Sequence, residues 1–291
     1  MKIFLASPRG FCQGVRNAVN LAEKALEDYK DSLPIYILGE IVHNKYISES
    51  LNKKGLVSVK SINEVSEGSV LIFSAHGVPP AYYLEASKKN IKIIDATCSL
   101  VKRVHQKIKK YAEEDYFIFY IGNKDHEETI GVLAECPVNQ YYLINNKKDL
   151  ENIKNNIDLE RLKNKKITYL SQTTLNIKEI QEIIDYLKTE FNIEESENQD
   201  ICYATRERQR AVEDLAKICD LVLILGSQNS SNSKRLKECA ENVGCEALLI
   251  DSVNDINLKE VLKNKQNIAI SAGASAPEIL VEELLNKIKL I

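Results

Sequence analysis

Three of the seven cysteines share one sequence context that suits a metal ligand. Cys12, Cys98 and Cys202 each begin a stretch with helical periodicity, and each is followed four positions later by a basic residue, in CQGVR, CSLVK and CYATR. The unpaired N–H groups and the dipole at a helix N-terminus favour a thiolate over a thiol. The three cysteines are 86 and 104 residues apart. We therefore interpret them as one thiol from each of three similar modules.

The other four cysteines lack this context. Cys136, Cys219 and Cys239 fall in helical patterns and Cys245 precedes a strand, so we expect them to be small packing residues. The odd total of seven and the absence of CxxC pairs argue against a disulfide framework and a zinc ribbon.

Apolar runs of strand length alternate with helical patterns along the whole chain. The runs are continuous, as in SVLIF, YFIFYI and LVLIL, rather than alternating between apolar and polar residues. Such runs are typical of parallel sheets covered on both faces. We predict an α/β protein of three modules at 1–97, 98–200 and 201–291.

Polar side chains follow the predicted strands, where parallel sheets bind their ligands. Three of the four histidines lie there, whereas His105 lies on the helix after Cys98 and is expected to be structural. The SQNSSNS run could be a polar linker, but it also stands between a strand and a helix, where hydroxyl, amide and backbone N–H groups can converge on an anion. The candidate residues are His43, His76, His126, Glu128, Thr173, Ser230, Ser231, Asn232 and Ser275.

Three thiolates are compatible with two kinds of metal centre. They could hold a 4Fe-4S cluster with one iron free of protein ligands, or a zinc ion together with a histidine. Structural zinc sites usually take their ligands from short CxxC-type pairs, so separations near a hundred residues favour a cluster where the modules meet.

Composition and net charge argue against some classes of binding partner. The chain is 44% hydrophobic and 28% charged with a net charge of −3, and no basic stripe is interleaved with aromatic residues. We therefore expect no nucleic acid and no membrane partner, and a small-molecule ligand instead. No apolar stretch approaches the roughly 18 residues of a membrane span, and the N-terminus has no signal-peptide pattern, so a cytoplasmic location is expected.

The ordered set of motifs resembles the 4-hydroxy-3-methylbut-2-enyl diphosphate reductase family over essentially the whole chain. The motifs are GFCQGVRNAV, LGEIVHN, FSAHGV, IDATCSLV, HEE, SQTTL, DICYATRERQ, GSQNSSNS and SAGASAP. The resemblance implies three α/β modules in a trefoil around a pseudo-threefold axis, with a central 4Fe-4S cluster.

The resemblance also implies roles for individual residues. The family's cluster ligands match Cys12, Cys98 and Cys202, and its proton-donating glutamate and substrate-positioning threonine match Glu128 and Thr173. This chain has His126-Glu127-Glu128 where the family often has His-Pro-Glu, and we assign Glu128 because it preserves the H-x-E spacing. The family's diphosphate-binding residues match His43, His76, His126, Ser230, Ser231, Asn232 and Ser275.

The implied reaction is reductive dehydroxylation of the hydroxyallyl diphosphate to isopentenyl and dimethylallyl diphosphate, the last step of the non-mevalonate pathway. Its electrons would come from a donor such as ferredoxin or flavodoxin. Burial should raise the pKa of Glu128, while a bound diphosphate should favour the charged forms of the three histidines. The lysines between 147 and 166 could dock an acidic donor or form a solvated charged face.

Two alternatives remain from the residues themselves. A quinolinate-synthase-like dehydratase would join three α/β units around a three-cysteine cluster and need no external reductant. An iron–sulfur sensor or electron carrier would need no anion pocket, so the polar residues after the strands argue against it.

Overall fold

The computed structural model describes residues 1–29, 31–151, 153–158, 162, 165–193 and 200–290, so Lys163 of the 147–166 lysines lies outside the described residues. The strands are β1 Lys2–Leu5, β2 Ile35–Leu38, β3 Val57–Val59, β4 Val70–Phe73, β5 Lys92–Asp95, β6 Phe117–Ile121, β7 Tyr141–Ile144, β8 Ile167–Ser171, β9 Leu221–Leu225, β10 Glu246–Ile250 and β11 Asn267–Ala272. The α-helices are α1 Gln13–Tyr29, α2 Lys45–Lys53, α3 Pro80–Lys88, α4 Ser99–Glu113, α5 Glu127–Leu133, α6 Lys148–Glu151, α7 Ile153–Asn156, α8 Ile177–Glu190, α9 Tyr203–Ala216, α10 Ser231–Glu241, α11 Leu258–Val261 and α12 Glu278–Lys289.

The strands form three sheets, and every pairing within them is parallel. The strand orders are β3-β2-β4-β5, β7-β6-β8 and β1-β11-β9-β10. The prediction of an α/β protein built from three parallel modules is confirmed. The interior strands β4, β6 and β9 are buried along their whole length, which explains their continuous apolar sequences.

The first strand lies in an unexpected sheet. β1 pairs with β11, from Lys2 opposite Asn267 to Leu5 opposite Ile270, and so joins the sheet formed by the C-terminal part of the chain. The helix that follows, α1, packs its apolar stripe against the sheet of β2 and β4. The module ranges 1–97, 98–200 and 201–291 remain a proposal. β1 belongs to the first range by its position in the chain, but it lies in the sheet of the third.

The loops after the strands carry the polar side chains. Parallel pairing brings the carboxyl ends of neighbouring strands to one edge of each sheet, and these three edges face a common cavity. None of the described helices combines the length and the apolar composition needed to cross a bilayer.

Candidate active site

Cys12, Cys98 and Cys202 line one central cavity, and each immediately precedes a helix, α1, α4 or α9. The same backbone geometry holds each of them. The cysteine N–H donates to a carbonyl just beyond a strand, and the cysteine carbonyl accepts from the N–H four residues later. These contacts join Cys12 to Ala274 and Arg16, Cys98 to Ala75 and Lys102, and Cys202 to Thr173 and Arg206, at 2.9 to 3.1 Å. The repeated anchor aims one thiol from each module at the cavity.

The three sulfurs are close but too widely spaced for one ion. Ligands of a single zinc ion can be at most about 4.6 Å apart, twice the Zn–S distance. In the part of the chain that the structure describes, only His43, His76 and Glu127 bring three potential ligand atoms within 4.8 Å of one another. The donor set therefore fits a multi-iron cluster, which spans a wider gap, and does not fit a zinc ion held by all three thiols.

Neighbouring groups make room for the three thiols and affect their ionisation. A Cβ at Gly14 would lie 2.6 Å from the Cys98 Sγ and 3.9 Å from the Cys12 Sγ, so only glycine leaves the space open. The N–H of Val15 donates to the Cys12 Sγ at 3.4 Å. Burial raises the pKa of the Cys98 thiol, and ionised Cys12 or Cys202 would raise it further. A cationic metal centre would offset that repulsion.

Three histidines form a compact group on another wall of the cavity. The His43 and His76 rings stack at 4.1 Å, and His126 stands edge-on to them at 5.6 and 5.7 Å. Burial and His43 lower the pKa of His76, and burial together with His76 and His43 lowers the pKa of His126 to about 3. His126 is therefore neutral in the free protein, whereas the expectation of a charged form concerned the protein with diphosphate bound. Its Nδ1 accepts from the N–H of Glu128 at 3.1 Å, which leaves the ring proton on Nε2.

Two carboxylates stand behind the stacked rings. The Nδ1 of His76 lies 2.8 Å from the Glu127 Oε2, and the Nδ1 of His43 lies 3.3 Å from the Glu40 Oε2. A Cβ at Gly39 would come within 3.1 Å of the Glu127 Oε1, so the carboxylate occupies space that this glycine leaves open. Glu127 does not line the cavity, but it fixes the orientation of a side chain that does.

Glu128 points into the cavity from the start of α5. Its side chain is buried, with 1% of the residue exposed, and burial raises its pKa to about 7 although two hydrogen bonds from Thr173 oppose the shift. The Oε1 accepts from the Thr173 N–H at 2.7 Å and the Oε2 from the Thr173 hydroxyl at 2.9 Å. A carboxyl group with this pKa can hold a proton near neutrality and release it.

The SQNSSNS loop and the start of α10 supply hydrogen-bond donors. The Asn232 Oδ1 accepts from the Ala274 N–H at 2.8 Å, while its Nδ2 is buried and has no hydrogen-bond partner among the residues that the structure describes. Ser230 caps α10 by accepting from the Ser233 N–H. Ser231 accepts from the Thr174 hydroxyl at 3.0 Å, and the Ser275 hydroxyl donates to the His43 carbonyl at 3.0 Å. The buried, unpartnered amide indicates that an acceptor group belongs in this part of the cavity.

All twelve residues singled out from the sequence line the central cavity. His105 lies outside it, with its Nδ1 3.1 Å from Glu135. The four remaining cysteines also lie outside it, and burial raises the pKa of each, to about 11 for Cys136 and Cys219 and about 12 for Cys239.

Sequence reasoning missed Thr174 and Glu127 at this site, and it did not single out the buried Arg208. Thr174 follows Thr173 and lines the same cavity. Glu127 belongs to the HEE motif, but the sequence predicted no role for it, and its contact with His76 is visible only in the structure. Arg208 is one of the buried residues of α9, with Thr205, Gln209, Val212 and Ala216. The sequence signal for it was a charged residue at a position where the helical periodicity predicts burial.

The fold and the site together define an α/β enzyme with three convergent thiols beside a wall of histidine, hydroxyl and amide groups. The model of the family described as LytB protein matches residues 3–289, and the chain belongs to this family. The chain is 44% identical to the 4-hydroxy-3-methylbut-2-enyl diphosphate reductase of Buchnera aphidicola subsp. Schizaphis graminum, over 99% of this chain and 90% of the relative. It is also 44% identical to the reductase of the same name from Wolbachia pipientis subsp. Culex pipiens, over 100% and 92%.

The chain is also similar to solved structures that are described as reductases of the same kind. The E-1-hydroxy-2-methyl-but-2-enyl-4-diphosphate reductase from Plasmodium falciparum superposes with a TM-score of 0.90 at 37% identity, covering 99% of this chain and 87% of that one. A structure described as (E)-4-hydroxy-3-methyl-but-2-enyl diphosphate reductase, the terminal enzyme of the non-mevalonate pathway, superposes with a TM-score of 0.68 at 30% identity over the full length of both chains.

Proposed function

We propose that this chain reduces (E)-4-hydroxy-3-methylbut-2-enyl diphosphate to isopentenyl and dimethylallyl diphosphate, the terminal reaction of the non-mevalonate pathway. The single observation that carries the proposal is one cavity lined both by three convergent thiols and by a buried, unpartnered amide donor beside three histidines. The names of the relatives support the same substrate.

In this proposal Cys12, Cys98 and Cys202 hold a 4Fe-4S cluster with one iron free of protein ligands. When bound, the cluster supplies Lewis-acid and electron-transfer chemistry for cleavage of the allylic C–O bond. The overall reaction consumes two electrons and two protons, breaks that bond, forms one C–H bond and releases water. The electrons come from an external reduced carrier of the ferredoxin or flavodoxin class.

The polar wall anchors the diphosphate. The Asn232 Nδ2 has no partner in the described part of the chain, so it can donate to a phosphate oxygen. His126 presents its Nε2–H as a neutral donor because its Nδ1 is engaged by the Glu128 N–H. The other donors in this wall are His43, His76, Ser230, Ser231 and Ser275. Holding the diphosphate at one end of the cavity orients the hydroxyl end toward the thiols.

Glu128 delivers the proton that the carbon skeleton needs. Its pKa of about 7 keeps the acid form populated near neutrality, and a neighbouring diphosphate would raise the pKa further by like-charge repulsion. The hydrogen bonds from Thr173 hold the carboxyl group in one place, and Thr173 lines the cavity itself, where it can position the substrate.

Anaerobic turnover tests the proposal. The purified protein, reconstituted with iron and sulfide, is supplied with the hydroxyallyl diphosphate and a chemical reductant, and the two products are separated by chromatography. We expect both products and two electrons consumed per turnover. Conversion without consumption of reductant would favour a dehydratase, and a cluster spectrum that does not respond to the substrate would favour an electron carrier.

A further inference from the structure

Arg208 on α9 is a buried cation without a carboxylate partner. Only 4% of the residue is exposed. Its Nε and Nη2 donate to the Gly10 carbonyl at 3.1 and 2.7 Å, and its Nη1 donates to the Ala204 carbonyl at 2.8 Å. Within the described part of the chain, no Asp or Glu forms an ion pair with this guanidinium.

This arrangement is costly unless a negative charge lies nearby. A guanidinium stays protonated at all relevant pH values, and burying an unpaired charge is strongly unfavourable because the charge loses its hydration. Backbone carbonyls satisfy its N–H groups but carry no net charge. The position of Arg208 therefore calls for an anionic neighbour.

The carbonyls that hold Arg208 identify that neighbour. Gly10 stands two residues before Cys12, and Ala204 stands two residues after Cys202. The side chain thus joins the two segments that present these thiols to the central cavity. Burial lowers the pKa of the Arg208 guanidinium, and the groups that would raise it are Cys12 and Cys202 in their ionised forms.

We propose that Arg208 is the buried counter-ion of the Cys12 and Cys202 thiolates and raises the reduction potential of the metal centre that they hold. The inference rests on the proposed function only in taking these cysteines as cluster ligands. Reduction adds negative charge to the centre, and a fixed positive charge in a low-dielectric site stabilises the reduced form more than the oxidised form. Arg208 touches no substrate in this account, so it is a positioning and electrostatic residue.

Two substitutions separate this role from a mechanical one. Arg208→Gln keeps hydrogen-bonding capacity but removes the charge, whereas Arg208→Lys keeps the charge but loses the planar fork. A strap that only joined the Gly10 and Ala204 carbonyls would be weakened by both. The matched control is Arg210→Gln, which removes a cation from the same helix at a site where 72% of the side chain is exposed and the partner is Glu207.

The measurement is the midpoint potential of the reconstituted proteins, by anaerobic redox titration followed by electron paramagnetic resonance. We expect Arg208→Gln to lower the one-electron equilibrium constant for reduction at least tenfold, a shift of about 59 mV to more negative potential. Arg208→Lys should shift it less, and Arg210→Gln should leave it unchanged. An unchanged potential in an Arg208→Gln protein with full iron content would overturn the proposal.

If the Arg208→Gln protein binds no cluster, its potential cannot be measured, and the iron content of the two Arg208 variants is compared instead. Retention of iron and of the wild-type potential by Arg208→Lys would then support the electrostatic role, whereas loss of iron from both variants would show that the fork is a strap. The readout is separate from turnover. A shifted potential in a protein that does not convert the hydroxyallyl diphosphate would contradict the proposed reaction and leave the role of Arg208 intact.

Discussion

The carboxylate of Glu128 accepts two hydrogen bonds from a single residue, Thr173. The Thr173 N–H donates to Oε1 at 2.7 Å, and the Thr173 hydroxyl donates to Oε2 at 2.9 Å. The carbonyl of the same threonine accepts from the Cys202 N–H at 3.1 Å. Thr173 therefore connects the proposed proton donor to the backbone of a proposed cluster ligand, and the distance between acid and metal centre is set by short, direct contacts.

Glu128→Gln should stop turnover while the protein still binds substrate and iron. Glutamine has nearly the same shape but cannot deliver a proton to carbon, so kcat should fall by at least about a hundredfold while substrate affinity and iron content change little. Steady-state kinetics at pH 7 with saturating reductant, together with a substrate-binding titration, measure the two effects. A kcat within threefold of wild type would remove Glu128 from the chemical step.

The pH profile should report the same carboxyl group. Burial raises the pKa of Glu128 to about 7, so the proton-donating form predominates below that value and is lost as the pH rises through it. We expect kcat/KM to fall tenfold per pH unit above about pH 7. Thr173→Val removes a hydroxyl that favours the ionised form, so this limb should move to higher pH. A shift to lower pH would contradict the assignment.

Iron content should divide the cysteines into two groups. Serine at position 12, 98 or 202 removes a sulfur from the central cavity, and each of these variants should lose iron. Serine in place of Cys136, Cys219, Cys239 or Cys245 changes only packing outside that cavity and should leave iron unchanged. Chemical iron and sulfide analysis after anaerobic reconstitution decides the matter, and full iron in Cys98→Ser would sink the ligand assignment.

Asn232→Asp should weaken diphosphate binding selectively. The substitution keeps the oxygen that accepts from the Ala274 N–H, but it replaces the unpartnered Nδ2 donor with a negative charge. The lost hydrogen bond alone is worth on the order of 1 to 3 kcal/mol, roughly 5- to 150-fold in affinity. Asn229→Asp, on the same loop but outside the cavity lining, is the matched control. Equal affinities for the two variants in a calorimetric titration would place the anion elsewhere.

Glu127→Gln should affect binding more than chemistry. Its carboxylate lies 2.8 Å from the His76 Nδ1 and raises the pKa of His76 against the effect of burial. Without that charge His76 becomes a weaker partner for a diphosphate, by about 1 kcal/mol or roughly fivefold in affinity. We expect KM to rise and kcat to stay near normal. A large loss of kcat in Glu127→Gln would show that the catalytic carboxyl group lies at 127 rather than at 128.

Local signals in the sequence were sufficient for the fold class and for the candidate residues. Continuous apolar runs predict strands covered on both faces, and helix starts after Cys12, Cys98 and Cys202 follow from the periodicity of the next residues. Polar residues directly after strands were predicted to meet, because parallel strands end at one edge of a sheet. Each of these patterns lies within about twenty consecutive residues, so it can be recognised in a single sequence without knowledge of the fold.

Only the tertiary structure decided which distant groups act on one another. The pairing of β1 with β11 joins residues more than 260 positions apart, and nothing in the strand KIFL specifies that neighbour. The contact of Glu127 with His76 and the burial of Arg208 beside two thiol segments likewise depend on how modules pack. The spacing of the three sulfurs also depends on that packing. The pKa of Glu128 depends on burial and on hydrogen bonds from Thr173, which is 45 residues away along the chain, so it too is set by groups that only the folded chain brings together.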